Sequence, residues 1–392
     1  TLRVRNKPGT PESCKKKKYF GGTAMKVCRP DFYKEFQCIG SECKDTCCAL
    51  WEIEVDEYSA ERYAAHKGPL QEDFRKYLVR REDENYFRLT EDKRCPFLNE
   101  DNLCRMILTM GEDYICDICR EHPRFYHWFG DYTEVGLGLC CEEAGRFLFS
   151  LKEPLKFELL SDETEETGEE ETEEVWEEDI WIELLLEARE KVIRMLQDRS
   201  CSLWDRMASL VDFADTVQPY LDEEDLEGME AFLAGWDGSV NCRADLPSGK
   251  AAERLTDMLS FYEKLESLDH TWPEQMRKLK AQLLQLLEKL PAFMETVTQS
   301  GRETDYEHLL VYFVFRYFME AVFDSNILSP IRFAAVSLQM LLLLDVESWS
   351  SSGSYTLEDR IRIAKWYSKE IEYCPDNMEA LTEKLEESRA WL

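Results

Sequence analysis

The chain has 392 residues, enough for more than one domain and a sizeable core, and its 80 acidic against 48 basic residues give a formal net charge of -32. A surface this acidic repels phosphate backbones and anionic headgroups, so the composition argues against nucleic acids and membranes as partners and favours lysine-bearing ones. Fifteen cysteines, an odd number in so long a chain, predict metal-bound thiolates in a reducing cytoplasm rather than the disulfides of small secreted proteins.

Residues 1–24 are rich in lysine, glycine, threonine and proline and lack apolar periodicity. They predict a disordered or non-native extension. Residues 25–160 follow with a mixed pattern of short apolar stretches and turn residues, which predicts a small α+β domain. Short strands and loops that carry cysteines are typical of domains in which a metal replaces part of the core.

The first local signals inside this domain are strands and a capped helix. Residues 51–55 alternate apolar and acidic side chains, as a half-buried strand does. Asp56 can then cap a helix that runs through Tyr63. Residues 86–89 predict a second strand, and Gly130-Asp131 between two aromatic stretches predicts a hairpin.

Ten of the fifteen cysteines fall between residues 38 and 141, a quarter of the chain. Thiolates gathered in this way are what a thiophilic metal ion or an iron–sulfur cluster requires, and their spacing leaves zinc and iron–sulfur both open. Successive side chains point in different directions, so we expect Cys47 and Cys48 to have different roles. One would ligate the metal centre, and the other would pack in the core or ligate a second centre. Cys140 and Cys141 present the same choice.

Two further segments carry polar or glycine-rich signals. Residues 119–126 (CREHPRFY) place two arginines and a histidine beside a thiolate, where they would tune that thiolate or bind a carboxylate, or else form a surface turn. Residues 134–138 (EVGLG) resemble a nucleotide-binding turn only superficially, because a third glycine and the preceding buried strand are missing. We therefore exclude a dinucleotide site there.

Residues 161–179 contain twelve carboxylates and predict an acidic linker or loop, with an anionic lure for a basic partner as the alternative. Residues 180–392 show apolar stripes at helical spacing and predict a bundle of seven to nine helices. Pro291 should end one of them. Residues 308–323 and 334–346 are apolar nearly all round and predict central helices. The expected fold class is mainly α, with a small α+β cysteine-rich N-terminal domain and a helical C-terminal region.

The stretch that comes closest to a window of eighteen apolar residues is 309–323. Arg316 and Glu320 interrupt it, so we interpret it as a buried helix and not as a membrane span.

The order of motifs points to a family. Residues 36–51 (FQCIGSECKDTCCALW), 95–104 (CPFLNEDNLC), 119–126 and 136–144 (GLGLCCEEA) resemble the flagellin lysine-N-methylases in sequence and in order, across about residues 25–148. The C-terminal half offers no motif of its own but has the acidic, helical character expected of this family.

This resemblance implies an S-adenosylmethionine-dependent methyltransferase that modifies lysine side chains of flagellin in the cytoplasm, before export. It also implies a [4Fe–4S] cluster with four ligands from the cysteines that match the family pattern, which are Cys38, Cys43, Cys47, Cys48, Cys95, Cys104, Cys119 and Cys141. Cys116 and Cys140 fit that pattern less closely. The cysteines outside it are Cys14, Cys28, Cys201, Cys242 and Cys374.

A neutral lysine amine is a nucleophile, so the methyl group can move by direct displacement once the ammonium is desolvated or deprotonated. The C-x3-C-x2-C triplet of radical enzymes is absent, because position 50 is leucine, so we expect the cluster to be structural or to anchor the cofactor. Candidates for the lysine channel are Tyr126, Trp128 and Tyr132, and for the proton acceptor Glu142 and Glu143.

Two other classes of protein remain open. The first is a zinc- or iron-stapled binding protein without catalytic activity, and the second is a metal-handling or redox protein with labile thiolates. The sequence contains no motif that locates S-adenosylmethionine.

Overall fold

A computed structural model of the chain describes residues 26–81, 83–161, 177–240, 251–268, 270–387, 389 and 391–392. The predictions for residues 1–24, for Cys14 and Cys242, and for most of the acidic segment lie outside these residues. At the two ends of the acidic segment, Ser161 closes a strand and Glu177 opens a helix.

The N-terminal part of the described chain alternates short strands with short helices. Its elements are β1 (Lys26–Pro30), β2 (Ile53–Val55), α1 (Glu57–Ala65), α2 (Gln71–Tyr77), β3 (Leu78–Arg81), β4 (Glu84–Phe87), α3 (Arg105–Met110), α4 (Asp117–Glu121), β5 (Arg124–Phe129), β6 (Tyr132–Leu137), α5 (Glu142–Ser150) and β7 (Phe157–Ser161). This mixture confirms the expected small α+β region.

Helices alone follow in the C-terminal part. They are α6 (Glu177–Leu196), α7 (Leu203–Asp222), α8 (Leu226–Gly235), α9 (Ala251–Tyr262), α10 (Thr271–Gln299), α11 (Thr304–Tyr317), α12 (Ala321–Asp324), α13 (Leu328–Ser352), α14 (Leu357–Glu370) and α15 (Pro375–Glu387). The structure is 62% helical, which confirms the mainly α class. The described residues hold ten such helices rather than seven to nine, in part because α12 is a single turn.

A three-stranded antiparallel sheet has the order β2-β4-β3. The side chains of Ile53 and Val55 are buried on one face of β2, as the alternating pattern predicted. The Asp56 carboxylate accepts the N–H of Ser59 at 2.8 Å, which confirms the predicted helix cap. Strand β4 begins and ends two residues before the predicted 86–89 stretch.

A four-stranded sheet has the order β5-β6-β1-β7, with β1 parallel to β6 and antiparallel to β7. The predicted hairpin joins β5 to β6, and Gly130 at its turn has a φ of 61°. One face of β5 packs on the helices, since the ring of Phe125 lies 6.3 Å from Phe315 and that of Phe129 lies 5.6 Å from Phe323.

Helices α11 and α13 are buried on all sides, which confirms the two predicted central helices. The sequence predicts residues 309–323 as the closest approach to a membrane span, but the helix that passes the test of length and composition is α13. By length and composition α13 is the one helix of the described chain that could cross a membrane, yet 94% of its most apolar window is buried inside the protein. It is therefore the core helix of the bundle.

The prediction that Pro291 ends a helix is wrong, because α10 continues through it to Gln299. Proline removes one N–H donor from the helix ladder. The turns beyond it are nevertheless held by packing, as Phe293 and Val297 are fully buried and the Phe293 ring lies 5.6 Å from that of Trp349.

The buried apolar residues form one large core and a much smaller second one. The large core runs from the four-stranded sheet through the helices to Trp391. The second core is built from the three-stranded sheet and helices α1–α4 and includes Cys95 and Cys116. We call residues 48–121 the cysteine lobe and the remainder of the described chain the body.

Candidate functional site

Five cysteines meet on the core of the cysteine lobe. Two of them are buried within it and three pack against it from its edge. We call this set the lobe thiols: Cys48, Cys95, Cys104, Cys116 and Cys119. They come from four separate segments of the chain, so the fold brings together what the sequence keeps apart.

A tight turn brings Cys95 and Cys104 together. The side-chain oxygen of Asn99 accepts the N–H groups of Asp101 and Leu103 at 3.0 and 2.8 Å, and Asn102 adopts a φ of 58°. Asparagine tolerates that conformation better than most residues. The turn is closed by a bridge between residues 98 and 104, which explains the CPFLNEDNLC motif in physical terms.

Two of the lobe thiols, Cys95 and Cys104, sit where burial disfavours their charge. Burial raises the pKa of Cys95 to about 12, although the N–H of Phe97 opposes this shift and nearby thiols add to it. Burial also raises the pKa of Cys104, against the N–H groups of Met106 and Ile107 at the start of α3. These donors point at sulfur, as they would at a thiolate.

A second set of cysteines lies where the lobe meets the body. We call it the junction thiols: Cys43, Cys47, Cys140 and Cys141. A hydrogen bond with Cys48, followed by burial, raises the pKa of Cys47 to about 12. Burial raises the pKa of Cys43 to about 12, with Cys141 as the next cause. Adjacent Cys47 and Cys48 thus pack in different groups.

The predicted cysteine ligands therefore divide three ways. Four of the eight are lobe thiols and three are junction thiols, while Cys38 is exposed and lies in neither set. Cys116 and Cys140, which fit the family pattern less closely, each complete one of the sets. Among the described residues, no three histidine, cysteine or acidic side chains already stand together as a closed metal site.

Two lysines of the body hold the loop of the junction thiols. The Lys369 ammonium donates to the Asp45 carboxylate at 3.1 Å and lies 5.2 Å from the Trp51 ring centre. The Lys365 ammonium donates to the Asp45 carbonyl and lies 3.3 Å from its carboxylate. Both lysine side chains are about 95% buried, since they expose 4% and 5%, so α14 fixes residues 43–47 against the body.

The polar side chains of residues 119–126 make different contacts. His122 Nε2 lies 3.7 Å from the sulfur of Cys140. Arg120 donates to the carbonyl of Ile115 at 2.9 Å and thereby fixes the lobe. Arg124 lies over the rings of Tyr33 and Phe36. The histidine is thus the member of this segment that faces a thiol.

The glycines of residues 134–138 serve packing, in agreement with the rejection of a nucleotide turn. A side chain at Gly136 would collide with the ring of Phe125, and one at Gly138 with the hydroxyl of Tyr373. Gly136 lies within β6, opposite Phe125 in β5. Both glycines allow aromatic rings to approach the backbone.

The residues expected to line a lysine channel are separated. Tyr126 and Trp128 stack on each other at 5.8 Å on the outer strand β5, and Trp128 is 40% exposed. Tyr132 is buried instead, where its hydroxyl accepts from Arg189 at 3.3 Å.

The two expected proton acceptors already have partners. Arg146 donates to Glu142 and to Glu143, each at 3.2 Å, and Glu142 also accepts the N–H of Lys44 at 3.0 Å. Carboxylates held by a guanidinium are poor proton acceptors.

A group that the sequence analysis missed lies on the same sheet. His127 in β5 stands opposite Glu134 in β6, with His127 Nδ1 3.9 Å from Glu134 Oε2. Arg189 of α6 forms an ion pair with the other oxygen of Glu134. The sequence could have revealed this pair, because His127 and Glu134 occupy opposite positions of the predicted hairpin.

Comparisons with known proteins place the chain in a family. Residues 189–391, about half of the chain, match the model of the FliB lysine N-methylase C-terminal domain. A lysine-N-methylase of Salmonella typhimurium is 29% identical over 123 residues, which is 30% of this chain and 31% of that relative. The flagellar biosynthetic protein FliU of Salmonella muenchen is likewise 29% identical over 123 residues, which is 73% of that protein.

The chain thus spans about a third of the curated lysine-N-methylase that it matches. No solved structure matches it. The family match begins at Arg189 within α6 and continues through α15, while the cysteine motifs precede it. The chain belongs to the FliB lysine N-methylase family.

Proposed function

We propose that this protein is an S-adenosylmethionine-dependent methyltransferase that methylates lysine side chains of flagellin in the cytoplasm, with a [4Fe–4S] cluster in its N-terminal part. The family match over residues 189–391 carries the proposal. A relative named lysine-N-methylase and another named flagellar biosynthetic protein support both the reaction and the substrate. The net charge of -32 adds an electrostatic attraction for lysine-bearing partners.

The lobe thiols fit an iron–sulfur cluster in their chemistry. Five thiols share one small core, burial raises the pKa of the Cys95 and Cys104 thiols, and backbone N–H groups point at both of these sulfurs. A bound cationic centre would supply the positive charge that lets such thiols ionise. We assign the four ligands to members of this set, which retains Cys48, Cys95, Cys104 and Cys119 from the eight cysteines that the resemblance implied and adds Cys116 as a candidate.

The cluster would organise the lobe, and the chain's own residues would carry the transfer. An incoming lysine must lose its water and its extra proton, and its nitrogen must then be aligned with the methyl group. Radical cleavage is not required for so nucleophilic an acceptor. Stoichiometric 5′-deoxyadenosine during turnover would contradict this view of the mechanism.

One preparation tests the proposal. We would purify the protein without oxygen, determine iron and acid-labile sulfide, and assay transfer of labelled methyl groups to unexported flagellin. We expect about four irons per chain, a visible absorption typical of iron–sulfur thiolates, and label on flagellin lysines. When each of the five lobe thiols is replaced by serine in turn, four of the five variants should lose iron, whereas the matched variant Cys201→Ser, in a cysteine outside both thiol sets, should retain it.

The alternative is a metal-stapled binding protein without catalytic activity. It predicts a colourless zinc protein and no label on flagellin. That pair of results would contradict the methyltransferase proposal.

A further inference from the structure

His127 is a half-exposed imidazole backed by a buried carboxylate. Its side chain exposes 22% of its surface, while that of Glu134 behind it exposes none. His127 Nδ1 is the ring nitrogen nearer the carboxylate, at 3.9 Å. A carboxylate on one ring nitrogen favours the proton there and leaves the other nitrogen, Nε2, as the acceptor.

Glu134 is fixed as an anion in this position. Burial disfavours its charge, but Arg189 and His127 outweigh burial and lower the pKa of Glu134 below its usual range. Its Oε1 accepts from Arg189, and its Oε2 is buried without a hydrogen-bond partner in the described chain. The free oxygen therefore lies on the side that faces the imidazole.

The other charged or titratable groups around this pair come from β6 itself and from two further elements, β1 and α11. Cys28 of β1 lies opposite Glu134. Tyr132 of β6 accepts from Arg189. The Arg316 guanidinium of α11 lies 4.8 Å from the ring centre of Phe125, which in turn flanks His127. Among the carboxylates of the described residues, Glu134 is the one that lies within ion-pair range of His127.

Aromatic rings flank the imidazole. The ring centre of His127 lies 5.4 Å from that of Phe125 and 6.3 Å from that of Phe129. Phe323 of α12 stacks on Phe129 at 5.6 Å and is 66% exposed. Phe125 and Phe129 are themselves buried, so the exposed ring of Phe323 is the part of this cluster that can cover the four-carbon stem of a lysine and displace water from its ammonium group.

We propose that His127 is the proton acceptor for the lysine substrate. Glu134 orients the imidazole and stabilises its protonated form, and Arg189 holds Glu134 in place. This inference rests on the proposed methyltransferase function. In the step, an N–H bond of the lysine ammonium breaks, its proton bonds to Nε2 of the neutral imidazole, and the electron pair stays on the amine. The imidazolium, stabilised by Glu134, releases that proton to water before the next turnover.

The geometry favours His127 over the carboxylates that the sequence suggested. Glu142 and Glu143 both bind Arg146. Glu121 accepts the hydroxyl of Tyr126 at 2.5 Å. His127 instead exposes part of its ring and has an anion behind it to stabilise the proton once taken.

The test measures methyl transfer to unexported flagellin by His127→Ala, with and without added imidazole. We expect kcat to fall by at least about a hundredfold, and free imidazole to restore part of it through the space left by the side chain. The variant should also lose the inflection in the pH profile of the unaltered enzyme. Glu134→Gln should lower kcat less than His127→Ala does. His270→Ala, at an exposed histidine of the body, is the matched control and should show neither loss nor rescue.

The outcomes separate the two proposals. Full activity of His127→Ala would overturn this inference and leave the methyltransferase proposal standing. A loss that imidazole does not restore, with an unchanged pH profile, would make His127 a structural residue and would also overturn the inference. Absence of transfer by the unaltered, iron-loaded protein would remove the proposed function, and this inference with it.

Discussion

The cysteine lobe and the body are stabilised by different means. The body has a large apolar core in which buried charges are paired, as Arg316 is with Glu372 at 2.9 Å. The lobe has a small core in which thiols replace part of the apolar volume. Small cores bury too little surface to be stable alone, and metal centres commonly supply the difference. Removal of a metal from the lobe should therefore affect the two parts unequally.

The largest expected effect comes from removal of the proposed iron–sulfur cluster. Stripping iron with a chelator under reducing conditions should lower the hydrogen-exchange protection of β2 and β4 by at least about tenfold, or about 1.4 kcal/mol. The amides of α11 and α13 should keep their protection, because their packing contains no cysteine ligands. Equal loss in both parts, or none in the lobe, would contradict the division proposed here.

The second effect is confined to the body. Arg360 is fully buried and pairs with Asp345, which also accepts the hydroxyl of Tyr306 at 2.8 Å. Arg360→Met should lower the free energy of unfolding by about 3–5 kcal/mol, because it leaves a buried carboxylate unpaired. Urea denaturation followed by circular dichroism measures this loss. The double variant Arg360→Met/Asp345→Leu should recover most of it, and a loss below about 1 kcal/mol in the single variant would contradict the argument.

The pH dependence of that variant follows from the same carboxylate. Burial raises the pKa of Asp345 to about 6 even beside Arg360, and removal of the guanidinium raises it further. An acid whose folded pKa lies above its unfolded value destabilises the fold where it is ionised, so stability rises as the pH falls through the folded pKa. The deficit of Arg360→Met should therefore shrink from neutral pH towards pH 4.

The third effect concerns the contact between the two parts. Lys365 and Lys369 hold Asp45, between Cys43 and Cys47, against α14. The double variant Lys365→Met/Lys369→Met should speed alkylation of these two cysteines about tenfold, because the free energy needed to open the loop should fall by about 1.4 kcal/mol. The lobe thiols should react at their former rate. Lys384→Met, which removes a lysine near Trp391, is the control, and equal rates in all three proteins would contradict the role of the lysines.

Local patterns made much of the fold predictable from the sequence. Alternation gave β2, the capping carboxylate of Asp56 gave α1, and continuous apolar runs gave α11 and α13. Pro291 misled because tertiary packing continued α10 through a missing donor. The grouping of the cysteines could not be predicted from the sequence, because it depends on how distant segments of the chain pack together. His127 and Glu134 lie in one predicted hairpin, and they were missed because their pairing depends on the register of its two strands.

The smallest effect compares one helix cap in each part. Asp56 caps α1 in the lobe and also accepts the N–H of Asp117 at 3.1 Å, which ties α1 to α4. Thr356 caps α14 in the body through a capping box with Asp359. Asp56→Ala and Thr356→Ala should each cost about 1 kcal/mol, but they should act in different places. Hydrogen exchange should show the loss caused by Asp56→Ala in the lobe alone, because the two cores are separate. The loss caused by Thr356→Ala should spread through the cooperative core of the body.

If Asp56→Ala weakened α13 as much as β2, the lobe and the body would unfold as one unit. The small core would then be stabilised by the body rather than by its thiols.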